Sequence, residues 1–176
     1  MTRDLFSSLD SFATVPPSSL LVRDSAGEYR PAGADEVLVA AQRVLAGRVR
    51  GSAMLESPAA VKDFLRARLG ALSHEVFAVV HLDAQHCVLD YVEMFRGTVS
   101  QTSVYPREVV KDALARNSAA LVLVHNHPSG AAEPSRADEA LTQMLKTALA
   151  LVDVRVIDHL IVAGPTVLSF AERGLI

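Results

Sequence analysis

The segment HNHPSG, which begins at His125, carries the side chains best suited to chemistry in this chain. Histidines at positions i and i+2 of an extended chain project from the same face, because strand side chains alternate. Asp138 lies in the first turn of a predicted helix, and a loop rich in proline and glycine can return its carboxylate toward the imidazoles. Two imidazoles and one carboxylate suit a catalytic zinc ion (Zn²⁺) whose fourth position stays open for water. The pattern therefore predicts a zinc site held by His125, His127 and Asp138.

Ser135 is open to a structural and a chemical interpretation. With Asp138 it forms the pattern S-x-x-D, which is typical of a capping box at the start of a helix. Its backbone could cap the helix while its hydroxyl is directed at the site. Both interpretations place Ser135 beside the predicted ligands.

The elements that must position these residues follow from hydrophobic periodicity and capping signals. A buried strand leads into His125, and the helix after Ser135 is predicted to bury Leu141, Met144, Leu145, Ala148 and Leu149. Helices are predicted to begin near residues 35, 58, 106 and 135, and strands to cover residues 75–82, 87–95, 119–124, 154–162 and 166–170. The predicted ligands therefore lie at the end of a buried strand.

The chain is predicted to contain one main domain with an N-terminal appendage. Its 176 residues are 50% hydrophobic and 21% charged, which is enough to bury a core. Residues 1–33 show little periodicity and are expected to form a flexible leader. Residues 34–56 are expected to form a helix and a linker, and residues 57–176 the main domain.

Composition also narrows the cellular setting and the partners. The formal net charge of -3 provides no overall cationic field for a phosphate backbone, so nucleic-acid binding is possible but not favoured. Cys87 is a single cysteine and cannot form an internal disulfide. The apolar runs fall far short of the roughly 20 residues that span a bilayer, and no signal peptide is visible. We expect a soluble cytoplasmic protein without a membrane partner.

From about Ser57 to Ile176 the sequence resembles the RadC family of bacterial JAB/MPN domains. The stretch HNHPSG followed by Ser135 and Asp138 matches the JAMM signature H-x-H-x(7)-S-x(2)-D. The runs FRGTVSQTSVYPREVVKDAL and DVRVIDHLIV and the ending SFAERGLI resemble that family as well. With only about fifty residues before Ser57, the chain resembles a short form without the helix-hairpin-helix region that many RadC proteins carry.

The resemblance implies an α/β MPN fold of the JAB/JAMM, cytidine-deaminase-like type, with a mixed curved sheet flanked by helices. It implies a zinc-dependent JAMM-type metallopeptidase or isopeptidase that cleaves a protein or peptide substrate with a metal-bound water. In the family mechanism a glutamate on a preceding strand is the base and the motif serine supports the oxyanion. Those roles fall on Glu75 and Ser135, with Glu93 as the alternative base.

A different class of function stays open from the sequence. The chain could be a nucleic-acid-associated accessory protein, related to DNA repair, whose metal site is not catalytic. The basic residues that could serve such a function are Arg96, Arg107, Lys111 and Arg116. Binding that falls steeply with salt concentration would favour this alternative.

Overall fold

A computed structural model describes residues 20–52, 58–97 and 103–176 of the chain. These ranges contain four helices and seven strands, and the chain divides into two units, Met1–Ala40 and Ala41–Ile176. The helices are α1 (Ala34–Val49), α2 (Pro58–Leu69), α3 (Pro106–Ala115) and α4 (Arg136–Ala150). The strands are β1 (Leu21–Arg23), β2 (Tyr29–Pro31), β3 (Val76–Leu82), β4 (Val88–Arg96), β5 (Ala120–Asn126), β6 (Arg155–Ala163) and β7 (Thr166–Ser169).

The first unit contains a short antiparallel hairpin of β1 and β2. The sequence pattern does not predict this hairpin within the expected leader, because its strands are only three residues long and exposed. Arg30 on β2 forms two hydrogen bonds with Glu36 on α1, at 2.8 and 2.7 Å. The hydrogen bonds from Arg30 lower the pKa of Glu36 to about 2. Residues 1–19 lie outside the described residues.

The second unit is built on a five-stranded mixed sheet with the order β4-β3-β5-β6-β7. Only β5 and β6 run parallel among these neighbours, and the other pairs are antiparallel. Strands β3 and β5 are buried along their whole length. The predicted α/β class and mixed sheet are confirmed, and the end of β5 lies in the middle of the sheet.

Helices cover both faces of this sheet. One face packs against α2 through side chains at alternate strand positions, among them Ala78, Val80, Val122, Val124, Leu160 and Val162. The opposite face packs against α3 and α4 through Phe77, Val79, Leu121 and Leu123. His125 and His127 continue the alternation of Leu121 and Leu123 along the chain. Their side chains therefore lie on the face that packs against α3 and α4, the α3/α4 face.

The helix and strand positions agree with the sequence expectations except at particular residues. Met144 on α4 is 48% exposed, so its predicted burial is wrong. Residue 57, where the main domain is predicted to begin, lies outside the described residues. Asn117 adopts a left-handed conformation after α3, with φ 52°. Within the described ranges, no helix combines the length and apolarity needed to cross a membrane.

The end of α2 lies against the turn between β6 and β7. A Cβ on Gly70 would lie 2.6 Å from the Arg66 carbonyl oxygen and 2.7 Å from that of Gly164. Because both obstacles are backbone atoms, only glycine allows this approach. Gly70 thus fixes α2 on one face of the sheet.

Candidate metal centre

The two motif histidines lie where β5 leaves the sheet. His125 is part of β5, opposite Phe77 of β3 and Ile161 of β6. The His127 N–H still donates to the Val162 carbonyl at 2.8 Å, so the backbone follows β6 for one further residue. Both imidazoles are therefore held by a chain that is hydrogen-bonded to its neighbours.

The loop after His127 fixes the orientation of its imidazole. Gly130 has a φ of 78°, a conformation that glycine adopts without steric cost. The loop turns there and presents the Ala131 carbonyl, which lies 2.6 Å from His127 Nδ1. A carbonyl can only accept, so His127 Nδ1 carries a proton. Nε2 is thus the nitrogen through which His127 would bind a cation.

The capping box of α4 brings the carboxylate into place. The Ser135 N–H donates to Asp138 Oδ2 at 2.7 Å, and the Asp138 N–H donates to Ser135 Oγ at 3.1 Å. The Ser135 hydroxyl also donates to Asp138 Oδ2 at 2.7 Å. The capping interpretation of Ser135 is therefore confirmed, and its hydroxyl contacts the centre through Asp138.

His125, His127 and Asp138 form a group that could hold a metal ion, with ligand atoms within 4.8 Å of one another. His125 Nε2 lies 2.9 Å from His127 Nε2 and 3.2 Å from Asp138 Oδ1. The distance from His127 Nε2 to Asp138 Oδ2 is 3.6 Å. Donors about 2.0–2.1 Å from one tetrahedral zinc ion lie about 3.3 Å apart. The spacing and chemistry of the donors therefore fit zinc.

Charge and burial favour a cation at this position. Burial opposes ionisation of Asp138, but hydrogen bonds from His125, His127 and Ser135 outweigh it and hold the pKa of that carboxyl well below its usual range. The hydrogen bond to Asp138 raises the pKa of His127, and the charge of Glu75 adds to this effect. The three side chains are 9%, 14% and 16% exposed, so the centre is recessed but open to solvent.

Glu75 immediately precedes β3 on the same side of the sheet as the centre. Phe77 pairs with His125, and continuing this antiparallel register by two residues places Glu75 level with His127. Cross-strand partners share a face, so the Glu75 side chain points to the α3/α4 side. The charge of Glu75 raises the pKa of His127, which agrees with a position of Glu75 close to that imidazole.

Asn126 holds the backbone on both sides of Glu75. Its Oδ1 accepts from the Val76 N–H at 2.8 Å, and its Nδ2 donates to the His74 carbonyl at 3.0 Å. Asn126 is 1% exposed, so these bonds are shielded from water. The residue between the two motif histidines therefore positions Glu75, a role that the sequence pattern does not reveal.

Glu93 lies on the other face of the sheet. Glu93 is on β4, opposite Ala78 of β3. Its Oε1 accepts a hydrogen bond from Arg68 Nε of α2 at 2.9 Å. α2 covers the face that the two motif histidines do not use. The structure therefore brings Glu75, but not Glu93, toward the His/His/Asp group.

A third histidine is linked to the centre. His159 on β6 is fully buried, and its Nε2 lies 2.8 Å from His125 Nδ1. Its Nδ1 lies 2.7 Å from Thr142 Oγ1 on α4. The alternation of side chains along β6 indicates that His159 lies on the α3/α4 face. Its contacts with His125 and Thr142 become apparent only from the pairing of β5 with β6.

Two of the other histidines, His81 and His86, contact residues outside the centre. His81 on β3 contacts Ser118 at 2.8 Å and Asp112 at 2.9 Å. His86 in the β3–β4 turn lies 2.9 Å from Arg155. Neither histidine is part of the His/His/Asp group.

The proposed basic cluster is largely neutralised by carboxylates. Lys111 forms an ion pair with Glu108 at 2.8 Å, and Arg116 lies 3.3 Å from Asp112. Arg107 lies 4.0 Å from Glu108. These pairs reduce the positive field that a nucleic acid would require.

The mixed sheet between helices, with a His/His/Asp group at the end of its central strand that could bind a metal ion, is the arrangement of a JAB domain. The chain belongs to the RadC family, because the model for the RadC-like JAB domain matches residues 55–175. It is 53% identical over 171 residues to a UPF0758 protein of Leptothrix cholodnii, covering 97% of this chain and 77% of that protein. A UPF0758 protein of Methylibium petroleiphilum is 56% identical over 176 residues, covering 96% and 78% of the two chains.

Proposed function

We propose that the protein is a zinc-dependent metallohydrolase that cleaves a peptide or isopeptide bond. The observation that carries this proposal is the position of Glu75, level with His127 but outside the set of atoms that could bind the ion. A hydrolytic centre needs both a ligand set with an open position and a proton acceptor beside it. A purely structural zinc site is usually closed by a fourth protein ligand.

His125 Nε2, His127 Nε2 and an Asp138 carboxylate oxygen would hold the zinc ion. When bound there, zinc lowers the pKa of a coordinated water to about 7 and polarises a carbonyl group. The recessed donors restrict the approach of bulk water, whereas their remaining exposure leaves room for a substrate carbonyl.

Glu75 supplies the proton transfer in this proposal. Its carboxylate takes a proton from the attacking water and delivers it to the amine nitrogen as the C–N bond breaks. Asn126 holds the backbone of residues 74–76, so the peptide groups that carry Glu75 do not need to be ordered during the reaction.

Ser135 supports the carbonyl oxygen as charge develops on it. Its Oγ–H donates to Asp138 Oδ2 before substrate arrives, so it must rotate to donate to substrate. The Ser135 N–H also donates to Asp138 Oδ2, and the carboxylate therefore stays oriented when the hydroxyl turns away.

The test compares Glu75→Gln with Glu93→Gln in zinc-loaded protein, using a peptide library and peptides branched through lysine side chains. Gln has nearly the shape of Glu but cannot take a proton. Glu75→Gln should retain zinc and lower turnover by about 10²- to 10⁴-fold. Glu93→Gln should retain zinc and turnover, because it alters only contacts with Arg68 and Tyr91 away from the centre. Equal turnover of the two variants would refute the assignment of the base, and failure of wild-type protein to cleave either substrate class would refute the proposed activity.

A further inference from the structure

A chain of hydrogen bonds connects the backbone of Asp138 to the side chain of His125. It runs from the Asp138 carbonyl through Thr142 Oγ1 and His159 to His125 Nδ1, with contacts of 2.6, 2.7 and 2.8 Å. Thr142 and His159 are both fully buried. The chain therefore links two residues of the centre through the protein interior, on the side away from solvent.

The chemistry of its first member sets the direction of every bond. The Asp138 carbonyl can only accept, so the Thr142 hydroxyl donates to it. Thr142 Oγ1 then accepts from His159, which requires the proton of His159 to be on Nδ1. A neutral imidazole with its proton on Nδ1 accepts at Nε2, so His125 Nδ1 must donate to it. Nε2 is consequently the atom through which His125 would bind an ion, and it lies 3.2 Å from Asp138 Oδ1.

The surroundings hold His159 in this arrangement. Its ring centroid lies 4.7 Å from that of Phe170 and 6.1 Å from that of Phe77. Both ring nitrogens have partners within the protein, Nδ1 in Thr142 and Nε2 in His125. The aromatic contacts also prevent the ring from turning away from His125.

We propose that His159, oriented by Thr142, is a positioning residue that fixes His125 in the tautomer whose Nε2 lone pair faces the metal site. A histidine ligand usually donates its second N–H to a carboxylate, a backbone carbonyl or water. His127 follows that rule through Ala131, whereas His125 donates to a neutral imidazole. A neutral acceptor adds no negative charge, so the ion retains more of its positive charge for polarising substrate. This consequence for catalysis rests on the proposed function, but the tautomer itself does not.

The first test is the tautomer of His125 and His159 in the zinc-loaded wild-type protein. Long-range ¹H–¹⁵N spectra of histidine-labelled protein distinguish a protonated Nδ1 from a protonated Nε2, and six histidines are few enough to assign by substitution. His125 and His159 should both carry the proton on Nδ1. A proton on His125 Nε2 would overturn the proposal without the use of any variant.

The second test measures zinc affinity by competition with a chelator. His159→Phe fits an aromatic environment but removes the acceptor, and it should weaken zinc binding by about 10- to 100-fold. His159→Gln can still accept at its terminal oxygen and should restore affinity to within about threefold of wild type. His81→Gln is the matched control, since His81 is also fully buried but contacts Ser118 and Asp112 instead of the centre.

Circular dichroism establishes that each variant is folded before its affinity is compared. A folded His159→Phe protein with wild-type zinc affinity would overturn the proposal. Equal losses of zinc affinity in His159→Gln and His159→Phe would also overturn the proposal. Correct tautomers and affinities in a protein that cleaves neither peptide nor isopeptide would leave this inference standing and refute the hydrolase proposal alone.

Discussion

Each histidine of the centre directs one nitrogen toward Asp138 and uses the other in a hydrogen bond to the protein. His127 Nδ1 donates to the Ala131 carbonyl, and His125 Nδ1 contacts His159. Such outer contacts raise ligand basicity and reduce the entropy lost when an ion binds. The three donors are thus ordered by partners that are themselves part of the sheet, the loop and α4.

We predict that His125→Ala, His127→Ala and Asp138→Ala each abolish zinc binding without unfolding the protein. Three protein ligands leave no redundancy, and the group lies at a strand end and not in the apolar core. Zinc stoichiometry and circular dichroism of each variant test this prediction. Full zinc occupancy in His127→Ala would contradict the ligand assignment.

His86→Asn is a suitable control for these variants. His86 lies in the turn between β3 and β4 with a φ of 61°, and Asn tolerates that left-handed conformation. The substitution removes a histidine that contacts Arg155 and is not part of the centre. Zinc stoichiometry should stay at the wild-type value.

At the scale of the elements, β3 and β5 bring together groups that lie 50 residues apart in the chain. The Asn126 side chain on β5 bridges the two peptide groups that flank Glu75. This contact supplements the backbone ladder at the point where β3 begins. The base and the ligands are therefore coupled through one buried amide.

Asn126→Ala should destabilise the protein and reduce turnover while leaving the zinc ligands in place. The Val76 N–H and the His74 carbonyl would each lose a buried partner, at a cost of about 1–3 kcal/mol per unsatisfied group. Asn126→Asp retains the acceptor for the Val76 N–H and should lose less stability. Urea denaturation and zinc stoichiometry test both variants, and a turnover equal to wild type in a folded Asn126→Ala protein would exclude a positioning role.

Most helices and strands could be predicted because their signals are local. Pro106 begins α3, the Ser135 capping box begins α4, and the apolar runs of β3 and β5 lie where the pattern predicts them. Met144 shows where local information fails. Helix α4 buries Leu145 and Leu149 as predicted, but it buries Thr142 and leaves Met144 exposed. Hydrophobicity ranks Met above Thr, but Thr142 is buried because its hydroxyl contacts His159. That partner is supplied by β6, which the periodicity of α4 cannot reveal.

At the scale of the whole molecule, the motif predicts the donor set, but the sheet order determines what surrounds it. The spacing of the motif identifies His125, His127 and Asp138 without knowledge of the fold. The opposite placement of Glu75 and Glu93 depends on the register of β3 with β4 and β5. The link to His159 depends on the parallel pairing of β5 with β6. These pairings join distant parts of the chain, so local patterns do not encode them.

The division of the chain into two units leads to a prediction about its N-terminal part. The three donors and Glu75 all lie within Ala41–Ile176. Deletion of residues 1–33 removes β1 and β2 and ends at the residue before α1, so every helix of the described ranges stays complete. The Arg30–Glu36 ion pair that would be lost is exposed, with side chains 50% and 41% accessible, and exposed pairs contribute little to stability.

The truncated protein should bind one zinc ion per chain and retain most of its thermal stability. Zinc stoichiometry and the melting temperature are compared with those of a control that lacks only residues 1–19 and keeps the hairpin. The two truncated proteins should melt within a few degrees of each other. A decrease of more than about 8 °C, which corresponds to about 2–4 kcal/mol for a chain of this length, would show that the hairpin stabilises the second unit. Loss of zinc from the longer truncation alone would show that the centre depends on residues outside Ala41–Ile176.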